Sequence, residues 1–282
     1  MAVEPTPLAA SNPRVSSLRR LTGRRKARLE AGLFVIEGPV ALGELLAAGT
    51  TLDEVYVDVD AWNGADDNSA LVTAVTLASA AGTPVWGIAP EVFARVSDTA
   101  TPQGVLAVAP RRVVDLDVMV ALDGPILVLV DVGDPGNAGT LVRAAEAAGA
   151  AGVIFAGSST DAFGPKTVRA AAGSLMRLPI AEIPDAEQLV SDLLKAGRVV
   201  IATVVEDGIA PEDLDLGGSP VFLVGSEAHG LDSALVERCA GTVTIPMNLD
   251  VESINAAVAG AVVLFEAARQ RRVAAKQLPS SN

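Results

Sequence analysis

The sequence predicts an α/β protein of two domains, the larger of which is built on a parallel sheet covered on both faces. Three observations lead there. With 282 residues, half of them hydrophobic, the chain can fill one large core or two modest ones, and its length favours two. Short apolar runs alternate with Ala-rich helical stretches along its whole length. In the second half the strand candidates are unbroken, as in Ile126-Leu127-Val128-Leu129-Val130, where a half-exposed strand would alternate.

Taken in order, residues 1–11 read as a disordered Pro-rich lead and residues 12–30 as a basic helix. Apolar runs at 33–36, 55–59, 85–88 and 105–108, with helical stretches between them, make a small α/β domain over 12–109. Residues 110–124 carry Pro110, a pair of arginines, Asp115 and Asp117, and lead into an Asp123-Gly124-Pro125 turn, so they are assigned as a linker. The larger domain spans 125–274, before a tail at 275–282. It is expected to hold strands at 126–131, 152–156, 177–181, 199–204, 221–225 and 242–246, with helices at 138–148, 165–172, 185–196, 231–238 and 253–272.

Composition excludes several chemistries. One cysteine, Cys239, forbids an intramolecular disulfide, and with a single histidine a metal site would need mostly carboxylates, so none is expected. No apolar run is long enough for a membrane span and no signal peptide opens the chain, which leads us to expect a cytoplasmic protein with no membrane partner. The formal charge of −13 would repel a polyanion if it were spread evenly. It is not: Arg14, Arg19, Arg20, Arg24, Arg25, Lys26 and Arg28 stand together without an acid among them, and Arg269, Arg271, Arg272 and Lys276 form a second group. Local fields decide contact with phosphate, and the N-terminal run is the stronger candidate.

Ligands of parallel sheets bind beyond the carboxyl ends of the strands, which directs attention to three loops. The first, Asp131-Val-Gly-Asp-Pro-Gly-Asn-Ala-Gly-Thr140, has glycines at 133, 136 and 139 that let backbone approach a phosphate or ribose; Asn137 stands at a candidate N-cap, ahead of Arg143 and Glu146. Its Gly spacing is not the dinucleotide fingerprint, and Gly164-Pro165-Lys166-Thr167 is not a Walker loop, so neither a nicotinamide cofactor nor ATP hydrolysis is expected. The second, Phe222-Leu-Val-Gly-Ser-Glu-Ala-His-Gly-Leu231, offers Glu227, either to orient a basic group or to cap a helix at Leu231. His229 has no triad-like partner and reads as incidental. The third, Thr244-Ile-Pro-Met-Asn-Leu-Asp-Val-Glu-Ser253, runs into Ile254-Asn255 and a helix rich in small residues that allows close packing.

Asn137 and Arg143, then Gly225-Ser-Glu227-x-x-Gly230-Leu231, then Ile245-Pro246-Met247 with Ser253-Ile254-Asn255 follow one another in an order and spacing that resembles the SpoU (TrmH) family of RNA ribose methyltransferases. That family lies in the SPOUT superfamily and includes the thiostrepton-resistance methyltransferases. Gly164 to Pro179 is similar to the segment between the family's first two motifs, and Glu30 to Gly38 and Gln103-Gly104-Val105 are similar to parts of its N-terminal domain. The likeness covers about residues 12–272. Ala148 departs from a frequent phenylalanine, and Ile254 from the commoner leucine.

The resemblance implies a SPOUT domain with a deep trefoil knot in about residues 200–270, an exception to the rule that chains avoid threading, preceded by a small RNA substrate-binding domain. It implies S-adenosylmethionine as cofactor, a homodimer with sites at the interface, and structured RNA, 23S ribosomal RNA above all, as substrate. Transfer RNA remains an alternative, as does a non-catalytic role in RNA binding or ribosome assembly. Carried residue by residue, it implies cofactor contacts at Thr203, Val224, Gly225, Ser226, Gly230, Ile245, Met247 and Ile254, and catalytic roles for Arg143, Asn137, Glu227, Ser253 and Asn255. RNA contacts fall to Arg19, Arg20, Arg24, Arg25, Lys166 and Arg169. Arginine is too weak an acid to serve as a base, so the expected role of Arg143 is electrostatic.

Overall fold

A computed structural model of the chain describes residues 3–248 and 253–277. They fall into two compact units: one holds the described residues up to Arg112 together with Phe163–Met176, the other Val113–Ala162 and the described residues from Arg177 onward. Helix Leu116–Ala121 falls within the stretch expected as a linker.

The first unit is built on five strands, β1 (Thr6–Pro7), β2 (Leu33–Glu37), β3 (Glu54–Asp58), β4 (Val85–Ile88) and β5 (Val105–Pro110), in the order β1-β4-β3-β5-β2. Strand β4 is parallel to β1 and β3, whereas β5 runs antiparallel to both β2 and β3. Residues 1–11 were expected to be disordered, yet Thr6 and Pro7 pair with Trp86 and Gly87; the prolines that suggested disorder are compatible with an edge strand. Val15, Leu18 and Leu21 of the first helix pack with Tyr56, Phe93 and Leu106 on one face of the sheet. On β2, Phe34 meets Phe163 edge to face at 5.1 Å, which is how the segment Phe163–Met176 joins this unit.

The expected single helix over 12–30 is two, Pro13–Gly23 and Arg25–Ala31, broken at Arg24, whose backbone is extended (φ −132°, ψ 116°). The cause is a side chain that composition could not place. Arg28 is buried, and its guanidinium donates to the carbonyls of Leu21 (2.5 Å) and Thr22 (3.0 Å), closing the end of the first helix.

The second unit carries β6 (Ile126–Val130), β7 (Gly152–Ala156), β8 (Ile180–Ile183), β9 (Val200–Thr203), β10 (Val221–Val224) and β11 (Gly241–Val243), all parallel, in the order β11-β9-β10-β6-β7-β8. Every residue of β6, β7 and β10 is buried, as unbroken apolar runs require. Helix Ala186–Lys195 covers one face with Leu189, Val190 and Leu193. Helices Pro135–Ala147 and Ala256–Gln277 pack against each other. A Cβ on Gly260 would lie 2.5 Å from Leu141 Cδ2 and 3.2 Å from Val224 Cγ2, so the glycine sets how closely the two helices approach.

Several boundaries differ from expectation. The strand expected at 177–181 is Ile180–Ile183, preceded by a short helix, Ser174–Arg177. The helix expected at 231–238 is Ser233–Glu237, because Asp232 caps it by accepting from Ala234 N at 2.9 Å. The last helix begins at Ala256, not 253, and runs to Gln277, past the boundary of the expected tail; residues 278–282 lie outside the described residues.

Candidate functional site

Because β11, β9, β10 and β6 are adjacent and parallel, their carboxyl ends open along one edge of the sheet, and the chain beyond each meets there. A cavity of about 610 Å³ lies at this edge. From the end of β9 it is lined by Thr203, Val204 and Val205; from β10 by Val224, Gly225, Ser226, Glu227 and the turn through His229, Gly230 and Leu231. The loop after β11 contributes Ile245 and Met247, and Ser253, Ile254, Asn255, Ala256 and Ala259 close it. Residues 249–252 of the third loop lie outside the described residues.

All eight positions assigned to cofactor contact by resemblance thus line one cavity, together with Glu227, Ser253 and Asn255. Local geometry explains why two of them are glycines. Ser226 and Gly230 exchange backbone hydrogen bonds of 3.0 and 2.9 Å, folding the loop tightly back on itself. A Cβ on Gly225 would lie 2.2 Å from the carbonyl carbon of Gly230, and Gly230 itself has φ +67°. The Thr203 hydroxyl donates to Leu223 O at 2.8 Å, fixing its rotamer at the cavity mouth.

Asn137 is not on the cavity wall but binds two residues that are. Its Nδ2 donates to Glu227 Oε1 at 2.9 Å, and its Oδ1 accepts from Asn255 Nδ2 at 2.9 Å. Asn255 in turn caps the last helix, its Oδ1 accepting from Ala257 N (2.8 Å) and Val258 N (3.3 Å). The second oxygen of Glu227 accepts from Gly133 N at 3.4 Å. One chain of polar contacts, Gly133–Glu227–Asn137–Asn255, therefore joins the first, second and third loops.

Two expectations are corrected here. The N-cap of helix Pro135–Ala147 is Asp134, whose carboxylate accepts from Asn137 N at 2.7 Å; Asn137 is the helix's third residue, and its amide is thereby free for Glu227 and Asn255. Glu227 neither orients a basic group nor caps a helix at Leu231, but holds a neutral amide and the backbone of the first loop. Partial burial acts to raise its pKa. The Asn137 amide and backbone N–H groups, Gly133 and Asp134 among them, outweigh that and hold the carboxyl below its ordinary range.

Arg143 does not join this cluster. It is exposed on helix Pro135–Ala147, is absent from the cavity lining, and its side chain makes no hydrogen bond or ion pair among the described residues. In the first unit Arg19, Arg20 and Arg24 border a separate cleft, whereas Arg25 does not. Lys166 is exposed, and Arg169 binds Asp98 at 2.9 Å. Sequence reasoning missed Asp134, Val204, Val205, Ala256 and Ala259 in or beside the cavity, and Arg95 on the cleft. The hydrophobic members carried no signal beyond ordinary core pattern. Arg95 was hidden because Glu91 and Asp98 flank it, so it belongs to no basic run.

Against known proteins, residues 124–265 match the SpoU rRNA Methylase family and residues 12–107 the MRM3-like substrate binding domain. The chain is 28% identical to the 23S rRNA (guanosine(2553)-2′-O)-methyltransferase RlmP of Bacillus subtilis, over 91% of this chain and 96% of that protein. It is 31% identical to the 23S rRNA (uridine(2479)-2′-O)-methyltransferase of Streptomyces viridochromogenes, over 94% and 92% respectively. Among solved structures it is similar to the SpoU methyltransferase AviRb from Streptomyces viridochromogenes in complex with AdoMet. The TM-score is 0.80, at 30% identity over 93% of this chain and 100% of that one.

Proposed function

The chain belongs to the SpoU rRNA methylase family, and from that premise we propose that it methylates a ribose 2′-hydroxyl of 23S ribosomal RNA with S-adenosylmethionine as donor. The observation that carries this reading is the convergence of the β9, β10 and β11 ends, with the start of the last helix, on one cavity of about 610 Å³. That volume suits a single small cofactor, for which about 300–1,000 Å³ is usual. Its lining suits this one. Val204, Val224, Ile245, Met247 and Ile254 offer apolar contact to an adenine and to the methylene groups that flank the sulfonium, and the side-chain-free backbone at Gly225 can approach a ribose or amino-acid moiety.

When bound, the cofactor supplies an electrophilic methyl on a sulfonium. The chain's own part is to hold and polarise the acceptor. Asn137, Glu227 and Asn255 lock the three loops, and Ser253 stands on the cavity wall beside Asn255. Arg143 of the partner subunit stabilises negative charge on the ribose oxygen and its neighbouring phosphate while the hydroxyl proton passes to solvent.

The homodimer this requires is supported by the last helix. Ala257, Val263, Leu264 and Ala267 bury one face, while Val258, Val262 and Phe265 are 52%, 39% and 46% exposed on another, an apolar stripe with no cover among the described residues. The reading extends to a trefoil knot. It is supported by the path of a chain that inserts β10 between β9 and β6, adds β11 outside β9, and returns to pack its last helix on Pro135–Ala147.

The test is transfer of tritiated methyl to unmodified ribosomal RNA, with calorimetry of the cofactor alongside. Arg143→Ala should lower the turnover rate by about 10²–10³-fold, as loss of a positioned charge-stabilising donor does, with cofactor affinity unchanged. No transfer by the wild type, full activity in the variant, or label confined to transfer RNA would each contradict the proposal.

A further inference from the structure

Arg143 is exposed and makes no ion pair among the described residues, in a chain with 34 acidic residues against 21 basic. Its isolation needs a cause, because a carboxylate stands within reach. Helix Pro135–Ala147 carries only two charged residues, Arg143 and Glu146. Residues three apart on a helix share a face, with Cβ atoms about 5–6 Å apart, and opposite charges placed there attract. At the same spacing in this chain Lys195 binds Asp192 at 3.0 Å and Arg269 binds Glu266 at 2.7 Å.

Glu146 is instead taken from outside its helix. Arg177 closes the short helix Ser174–Arg177, 31 positions further along the chain. Its Nε donates to Glu146 Oε1 at 2.5 Å and its Nη2 to Oε2 at 2.9 Å. The planar fork of the guanidinium thus occupies both carboxylate oxygens at once, a geometry that a lysine could not reproduce. The side chains of Arg177 and Glu146 are 38% and 28% exposed, so the pair is partly sheltered from water. Its rival is the weaker contact: within a helix, a base ahead of an acid is the less favourable order.

We propose that Arg177 is a positioning residue for methyl transfer: by engaging Glu146 on both oxygens, it leaves the Arg143 guanidinium open to the RNA phosphate and the ribose oxygen. The proposal rests on the role given to Arg143 above. Without Arg177, the Glu146 carboxylate turns to Arg143, neutralises charge intended for the acceptor and repels the phosphate beside it.

The test combines methyl transfer to a 23S ribosomal RNA transcript with labelling of Arg143 by phenylglyoxal, an arginine-selective reagent, read by peptide mass spectrometry. Arg177→Ala should lower kcat/KM for RNA by about two- to five-fold, the competition that an exposed ion pair offers, and should slow the labelling of Arg143. Cofactor affinity, followed by calorimetry, should stay at the wild-type value. Removing the carboxylate as well, in the double variant Arg177→Ala with Glu146→Ala, should restore both transfer and labelling, and Glu146→Ala alone should match the wild type. A merely structural salt bridge predicts the opposite, a double variant no better than Arg177→Ala. That result, or unchanged labelling of Arg143 in Arg177→Ala, would overturn the proposal. Arg177→Met keeps the aliphatic stem and decides the matter should Arg177→Ala fail to fold. The two readings fail separately: labelling that slows and recovers while the wild type transfers no methyl sinks only the catalytic role of Arg143, whereas transfer by the wild type with unchanged labelling sinks only that of Arg177.

Discussion

Glu227 stands on an exposed turn, yet its carboxylate is committed on both oxygens, to Asn137 and to Gly133. Its pKa in the folded chain lies below the ordinary 4.5, so the ionised group stabilises the fold above that pH and the contribution fades as pH falls through the lowered value. Hydrogen bonds to charged groups are worth about 1.5–3 kcal/mol when sheltered, and exposure here reduces that to about 1 kcal/mol. Glu227→Gln should therefore melt below the wild type at neutral pH, with the gap closing in acid; thermal melts of both proteins across pH check it. Asn137→Ala removes the bridge between the loops and should lower methyl transfer more than it lowers cofactor affinity, which single-turnover kinetics and calorimetry separate. At this scale the motif residues were legible because the chemistry limits them to a few residue types. Their partnerships were not: Asp134 takes the cap expected of Asn137 because it fits the N-cap one turn earlier, and no local pattern distinguishes the two.

At the scale of elements, two glycines mark where backbone meets backbone or helix meets helix. Gly260→Val would drive side-chain atoms into Leu141 and Val224 and should destabilise the second unit by about 1–3 kcal/mol, measured by urea unfolding. The buried strands β6, β7 and β10 could be read from the sequence because burial on both faces imposes an unbroken apolar run. Boundaries set by individual side-chain contacts could not. The break at Arg24 depends on where Arg28 lands, and the start of the last helix depends on Asn255, whose amide caps it while reaching across to Asn137. Periodicity sees neither, because both are contacts made through the turn of the backbone in space.

For the whole molecule, the formal charge of −13 suggests poor contact with RNA, and the distribution reverses the inference. Acids pair with Arg14, Lys26 and Arg169, while the arginines on the cleft have no ion pair among the described residues. Assembly is the second property at this scale. Phe265→Asp puts a charge into the apolar stripe of the last helix and should shift the protein to monomer in sedimentation equilibrium, with loss of methyl transfer and retention of fold by circular dichroism. An active monomer would show that Arg143 serves its own subunit's cavity.

If the methyl lands on a ribose oxygen of ribosomal RNA, it blocks alkaline cleavage there, because alkali cuts RNA only where the 2′-hydroxyl is free. Tritium transferred by this protein should therefore be recovered in alkali-resistant dinucleotides. Label recovered in mononucleotides would place the methyl on a base and contradict the ribose assignment.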